Sequence, residues 1–149
     1  MVFNWILINK FAIGTPFISE EDKYLLKEKG ITTILDLRNK SDFLLIDQKK
    51  YLLNIGEFKY KNLQLPDHNS KRLITREEII NAVETLNNLM IQGPVFMHCH
   101  AAAERSPLIS IALLHLKKNF SLIQSCDYVK QQNKNSTISL KQLKNVNFL

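Results

Sequence analysis

The residues best suited to chemistry lie in one segment, Val95-Phe96-Met97-His98-Cys99-His100-Ala101-Ala102-Ala103-Glu104-Arg105-Ser106-Pro107. Its apolar start reads as a short central strand, and an arginine stands six positions after the cysteine, at the start of a helix. A strand, loop and helix of this length can curl so that successive backbone N–H groups point inward. That makes an anion nest, to which the helix N-terminus adds positive potential. A thiol so placed ionises readily, and the arginine offers a planar fork for two phosphate oxygens. Together these parts would bind a phosphoryl group and attack its phosphorus. In isolation Cys99 would read as an inert buried thiol; Arg105, Ser106 and the strand-loop-helix context favour a nucleophile. Cys126 reads as an ordinary helix residue.

Several elements must position this segment. Asn4–Ile8 and Phe11–Ile13 read as strands of a leading hairpin, closed by the turn signal Gly14-Thr15-Pro16. Ser19 caps a helix with Glu20, Glu21 and Asp22 in its first turn, running to about Lys29 and ended by Gly30. Ile31–Leu37 is β-branched and almost continuously apolar, as a buried strand requires. Asp42–Asn54 is a helix-containing connection, Phe58–Leu65 the next strand, and Pro66–Arg72 a polar turn. Thr75 with Glu78 three residues on is a capping-box pattern. It opens a long helix whose apolar stripe is Ile79, Val83, Leu86, Leu89 and Met90. Gly93-Pro94 stops that helix. Pro107 suits a first-turn position, and Leu108 to Leu116 is apolar almost all round, so the next helix is central and buried. Ser121–Gln132 and Ser139–Val146 read as two further helices. Strands alternating with helices predict one α/β domain over residues 1–149, with a central, mostly parallel sheet of about 4–5 strands flanked by helices.

His-Cys, five residues, then Arg-Ser is the signature of the cysteine-dependent protein tyrosine phosphatases, and the chain resembles the dual-specificity group of that superfamily. The Glu104-Arg105-Ser106-Pro107 ending is similar to that of small bacterial, notably cyanobacterial-type, members. The resemblance extends over roughly Ile6 to Val129. Phe11–Gly14 and Gly30–Arg38 are similar to the family's N-terminal half, Leu65-Pro66-Asp67-His68 to its general-acid loop, and Thr75–Met90 to the helix before the catalytic strand. The resemblance implies residue roles. Cys99 is the nucleophile that takes the phosphoryl group, and Arg105 clamps it. Asp67, 32 residues before Cys99, is the general acid. Ser106 assists the departing thiolate and His98 orients the loop. The backbone N–H groups of His100, Ala101, Ala102, Ala103, Glu104 and Arg105 hold phosphate oxygens.

The expected reaction is hydrolysis of phosphotyrosine on proteins, with phosphoserine and phosphothreonine as further candidates, through a phosphocysteine. Two alternatives are kept: a phosphate-binding pseudophosphatase, and a phosphatase on a non-protein substrate such as an RNA 5′-phosphate or a phosphorylated sugar. The pseudophosphatase reading is motivated by Ala102, which stands where the family usually has glycine; an alanine forced to positive φ costs about 1 kcal/mol or more. The loop carries no lysine and one carboxylate, Glu104, which disfavours a polyphosphorylated lipid headgroup.

Composition sets the outer bounds. With 45% hydrophobic and 23% charged residues in 149, the chain is not disordered, and 4 glycines exclude glycine-rich fibrous or linker chains. Two cysteines make no disulfide framework. No secretory leader and no membrane span is expected, so a reducing cytoplasm is the predicted compartment. The net charge of +6 favours anionic partners. Without a dense basic block or an aromatic stacking platform, it does not predict nucleic-acid binding. His68, His98 and His100 have no diagnostic ligand spacing, so neither metal nor cofactor is expected. The expected partner is a phosphorylated protein substrate.

Overall fold

The computed structural model describes residues 1–43, 51 and 55–146. The expected helix-containing connection over Asp42–Asn54 falls mostly outside that set, as does the side chain of His68. Five strands, β1 (Phe3–Leu7), β2 (Phe11–Gly14), β3 (Thr33–Asp36), β4 (Lys59–Asn62) and β5 (Val95–His98), form one sheet in the order β1-β2-β5-β3-β4. β1 pairs antiparallel with β2 as the predicted hairpin, and the other neighbours are parallel. The described helices are α1 (Glu20–Glu28), α2 (Lys40–Phe43), α3 (Arg76–Met90), α4 (Arg105–Lys117), α5 (Leu122–Gln132) and α6 (Leu140–Leu143). A 3₁₀ turn, His68–Ser70, follows Asp67.

The caps read from the sequence are in place: the Ser19 hydroxyl accepts from the Asp22 N–H, and a reciprocal capping box joins Thr75 to Glu78. The structure adds a second box, between Ser121 and Gln124. Each satisfies N–H groups that the first turn cannot pair internally. Several elements are shorter than predicted. The ladder of β3 covers Thr33–Asp36, although Leu37 still donates to the His98 carbonyl, and Leu63 and Leu65 donate to the carbonyls of Asp36 and Leu37. α6 ends at Leu143 because i→i+3 turns at Asn145 and Val146 take over.

Strand alternation sorts the core into two layers. Phe11, Ile13, Leu35, Val95 and Met97 face one cluster with Ile79, Val83 and Leu86 of α3, Leu108 to Leu114 of α4 and Val129 of α5. Ala12, Ile34 and Phe96 face the other, with Leu26 of α1, Phe17, Tyr51, Ile55 and Phe58. A period of two on a sheet covered on both faces requires this split. The edge strand β4 carries exposed Lys59 and Lys61, which discourage pairing with another chain. No helix among the described residues is long and apolar enough to cross a membrane.

Strand register aligns the three central strands rung by rung. Phe96 lies between Ala12 and Ile34, Met97 between Ile13 and Leu35, and His98 between Gly14 and Asp36. The last rung of the central strand therefore carries Gly14, His98 and Asp36 side by side at the carboxyl ends of parallel strands, where open α/β sheets form their ligand crevices. Gly14 is there for space: a Cβ on it would come within 1.9 Å of the Val2 carbonyl oxygen and 2.9 Å of the Phe96 ring. Gly14→Ala is expected to lower stability by about 1–3 kcal/mol through overpacking, measured as a shift of the urea unfolding midpoint at unchanged slope.

Candidate active site

β5 ends at His98 and α4 begins at Arg105, so Cys99 to Glu104 form the loop between them. Cys99 is 2% exposed, and its Sγ lies 3.3 Å from Oγ of Ser106 in the first turn of α4. Ala102, fully buried, has φ of +55°, the left-handed conformation that glycine adopts without cost. Its carbonyl accepts from Nδ2 of Asn133 at 2.7 Å, and the carbonyl of Ala103 accepts from the Thr137 N–H at 2.7 Å. In a trans peptide the N–H points opposite to the C=O. The N–H groups of Ala103 and Glu104 therefore point away from Asn133 and Thr137, an orientation that a nest requires of successive peptides. Asn133 is itself buried and satisfied: it also donates to Oγ of Ser136 at 2.9 Å and accepts from Asn4 at 2.8 Å. Sequence reasoning missed Asn133, because it stands 31 residues from its loop partner and no local pattern marks it.

Below Cys99 a polar network fills the strand ends. Asp36, Arg38, Tyr51 and His98 have no solvent exposure. Arg38 forks onto Asp36 through Nε at 3.0 Å and Nη2 at 2.9 Å, and the Tyr60 hydroxyl donates to the same carboxylate at 2.7 Å. The guanidinium stacks 4.3 Å from the Tyr51 ring centroid. Burial alone would raise the Asp36 carboxyl, but the facing His98, Arg38 and Tyr60 hold it below its usual range. The Tyr51 hydroxyl lies 2.6 Å from Nε2 of His98. Burial, then Asp36, push the Tyr51 hydroxyl far above its normal pKa, so it stays protonated. Nδ1 of His98 faces the Cys99 carbonyl at 3.4 Å, and a carbonyl can only accept; a neutral His98 with its proton on Nδ1 therefore accepts the Tyr51 hydroxyl at Nε2. Burial lowers the His98 pKa from 6.5 to about 4, against the pull of Asp36. Asp36, the last residue of β3, is thus the counter-charge of this network. Tyr51 carried no signal in the sequence.

Arg105 points inward and is 5% exposed. Its Nη1 and Nη2 reach Oδ2 and Oδ1 of Asp42 at 2.6 and 2.9 Å. Burial favours the neutral guanidine, but Asp42, the nearby Cys99 and Asp67 reverse this and keep Arg105 charged. Asp67 lies on the wall of a cleft of about 470 Å³ that Glu104 and Leu108 also line, with Thr137–Ser139 closing one side. Its carboxylate caps its own turn, accepting from the Asn69 N–H at 3.0 Å and from Oγ of Ser70 at 3.1 Å. Lys71 and Arg72 line the same cleft, Arg72 being paired with Glu78 at 2.7 Å. Nδ1 of His100 is buried without a hydrogen-bond partner among the described residues. Cys99, Arg105, Ser106 and His98 are therefore gathered around one loop end, and Asp67 faces a cleft that this loop borders.

No family model matches the chain. Over 98 residues, 58% of this chain and 23% of the relative, it is 32% identical to dual specificity protein phosphatase 7 of Homo sapiens. It is equally similar to dual specificity protein phosphatase 6 of Homo sapiens, of which it covers 25%. The chain thus spans about a quarter of the length of these curated relatives. Among solved structures, PTPMT1 in complex with PI(5)P superposes with a TM-score of 0.77 at 14% identity, covering 97% of this chain and 91% of that one. Tk-PTP in its active form gives 0.77 at 13%, covering 97% and 92%. The human tyrosine phosphatase-like serine/threonine/tyrosine-interacting protein gives 0.77 at 18%, covering 97% and 92%. These structural likenesses establish the fold.

The geometry has two measurable consequences for stability. Between pH 6.5 and about 4 the unfolded chain binds a proton at His98 that the folded protein excludes. Stability is therefore expected to fall by about 2–3 kcal/mol as pH drops through that window; urea unfolding at stepped pH should show this slope flattened in His98→Gln. Ala102→Gly removes the left-handed alanine at some cost in unfolded-chain entropy. It is expected to raise stability by up to about 1 kcal/mol, read from the same unfolding curves.

Proposed function

We propose that this chain, which belongs to the cysteine-dependent protein tyrosine phosphatase superfamily and to its dual-specificity-like group, is a phosphatase that hydrolyses phosphomonoesters through a phosphocysteine at Cys99. The observation that carries the reading is the arrangement around the sulfur. Cys99 Sγ is 3.3 Å from the Ser106 hydroxyl, in a loop that ends in the inward-facing, charged Arg105. We take residues 1–149 as one catalytic domain.

In the first step the Cys99 thiolate attacks phosphorus, forming an S–P bond as the ester P–O bond breaks. Arg105 and the loop N–H groups from His100 to Arg105 hold the three equatorial oxygens, whose charge they stabilise most in the transition state. Asp67 gives its proton to the leaving oxygen. In the second step water attacks phosphorus and passes a proton back to Asp67. The S–P bond breaks, and the Ser106 hydroxyl stabilises the returning thiolate while inorganic phosphate leaves. His98, neutral and fixed by Tyr51, keeps the start of the loop in place.

The proposed substrates are phosphoproteins bearing phosphotyrosine, with phosphoserine and phosphothreonine as further candidates. Supporting this, the cleft that Asp67 and Glu104 share has an apolar side formed by Pro66, Leu73, Ile74 and Leu108, suited to the body of a peptide side chain. A second reading, phosphate recognition without turnover, is favoured by the local capping of the Asp67 carboxylate. Turnover of para-nitrophenyl phosphate separates the two. Cys99→Ser is expected to abolish phosphate release, Asp67→Asn to lower kcat by about 10²–10⁴, and acid quenching during turnover to trap one phosphoryl group on Cys99. A wild type no faster than Cys99→Ser leaves the binding reading.

A further inference from the structure

We infer that Asn133 is a positioning residue for phosphate binding, and that the loop depends on it because position 102 is an alanine. This rests on the loop between β5 and α4 being the phosphate site of the proposed reaction. With nothing to hold it, an L-alanine leaves the left-handed region by a factor of roughly 5–30 in population. Glycine has no such bias. Ala102 is nevertheless at φ of +55° and fully buried, so its surroundings must over-determine that conformation. In a trans peptide the Ala103 N–H turns together with the Ala102 carbonyl. A loop that relaxed at Ala102 would therefore also re-aim an N–H group needed for a phosphate oxygen.

Two clasps hold the loop, and each is braced in turn. Nδ2 of Asn133 spends one hydrogen on the Ala102 carbonyl at 2.7 Å and the other on Oγ of Ser136 at 2.9 Å. Its Oδ1 accepts from Nδ2 of Asn4 on β1 at 2.8 Å, and its backbone N–H donates to the Val129 carbonyl at 2.8 Å. The amide is 1% exposed, so no water competes for these partners. The second clasp is the Ser136–Thr137 peptide, fixed from both sides. The Ser136 carbonyl accepts from Nζ of Lys130 at 2.8 Å, while the Thr137 N–H donates to the Ala103 carbonyl at 2.7 Å. The remaining ends of the loop are tied to β5 and α4, where Cys99 Sγ meets the Ser106 hydroxyl. Asn133 is thus the side chain that joins β1, the end of α5 and the one left-handed residue of the loop.

A merely structural Asn133 would cost phosphate affinity equally whatever stands at position 102. A clasp needed to restrain a flexible loop would matter more beside glycine. A clasp that opposes the alanine's own preference matters less beside glycine, and a double-mutant cycle of Asn133→Ala with Ala102→Gly reads that sign. Inorganic phosphate is titrated against alkylation of Cys99 by iodoacetamide at fixed pH, followed by mass spectrometry of the Cys99 peptide. Urea unfolding shows that each variant is folded, and kcat and KM for para-nitrophenyl phosphate are measured in parallel. Asn133→Ala alone is expected to need roughly tenfold more phosphate for half-protection and to raise KM by a similar factor, and in the Ala102→Gly background to need no more than about threefold more. Asn4→Ala, at a half-buried position on β1, removes only the brace on Oδ1. It is expected to weaken protection several-fold beside Ala102 and not beside glycine, and it carries the test if Asn133→Ala does not fold. Equal losses in the two backgrounds, a larger loss beside glycine, or no loss at all overturns the inference, as does a wild type that phosphate does not protect. Turnover with equal losses leaves the phosphatase reading standing without the inference. Protection without turnover, lost in Asn133→Ala and restored by Ala102→Gly, leaves the inference standing without the phosphatase reading.

Discussion

Burying the guanidinium of Arg105 to 5% exposure obliges the fold to supply a carboxylate for it, because an uncompensated charge in such a place costs several kcal/mol. Asp42 meets that demand, and much of the site's architecture is arranged around it. The turn after β3 must fold back to bring Asp42 to the start of α4, 63 residues away in sequence. Asn39 stabilises that turn and ties it to the Leu65 carbonyl. The same requirement recurs one layer deeper, where Arg38 is wholly buried and Asp36 answers it with a two-point fork. Two buried arginines with two dedicated aspartates make the carboxyl end of the sheet a rigid, charge-balanced platform.

On that platform the loop between β5 and α4 is held from outside. Asn133 and the Thr137 N–H draw the carbonyls of Ala102 and Ala103 away from the concave side. The left-handed turn at Ala102 is therefore held by the end of α5 and the segment just after it, and the alanine side chain is buried with it. The C-terminal end of α5 is thus part of the site's support, although it contributes no side chain proposed to touch substrate.

The polar network beneath Cys99 divides into a charged part and a neutral part. Asp36 and Arg38 carry the charge, while His98, kept neutral by burial and held by Tyr51, transmits position without adding a second positive group. Because His98 and Asp36 occupy the same rung of the sheet, this arrangement is set by strand register. A one-residue slip would turn His98 to the opposite face of the sheet.

Much was legible in the sequence because the physics behind it is local. The caps at Ser19 and Thr75, the stop at Gly93-Pro94 and the all-round apolarity of Leu108 to Leu116 each act within a few residues. The Cys99–Arg105 spacing likewise needs only a strand, a loop and a helix start. Ala102 already stood out as the position where a glycine is usual. What the sequence could not reveal were the partners that answer buried charge and buried carbonyls. Asp42 belongs to Arg105, Tyr51 to His98 and Asn133 to Ala102, at separations of 63, 47 and 31 residues. No periodicity or local motif specifies such pairs. They arise when strand register and helix packing bring distant segments to one point and remove the water that would otherwise have satisfied each group alone.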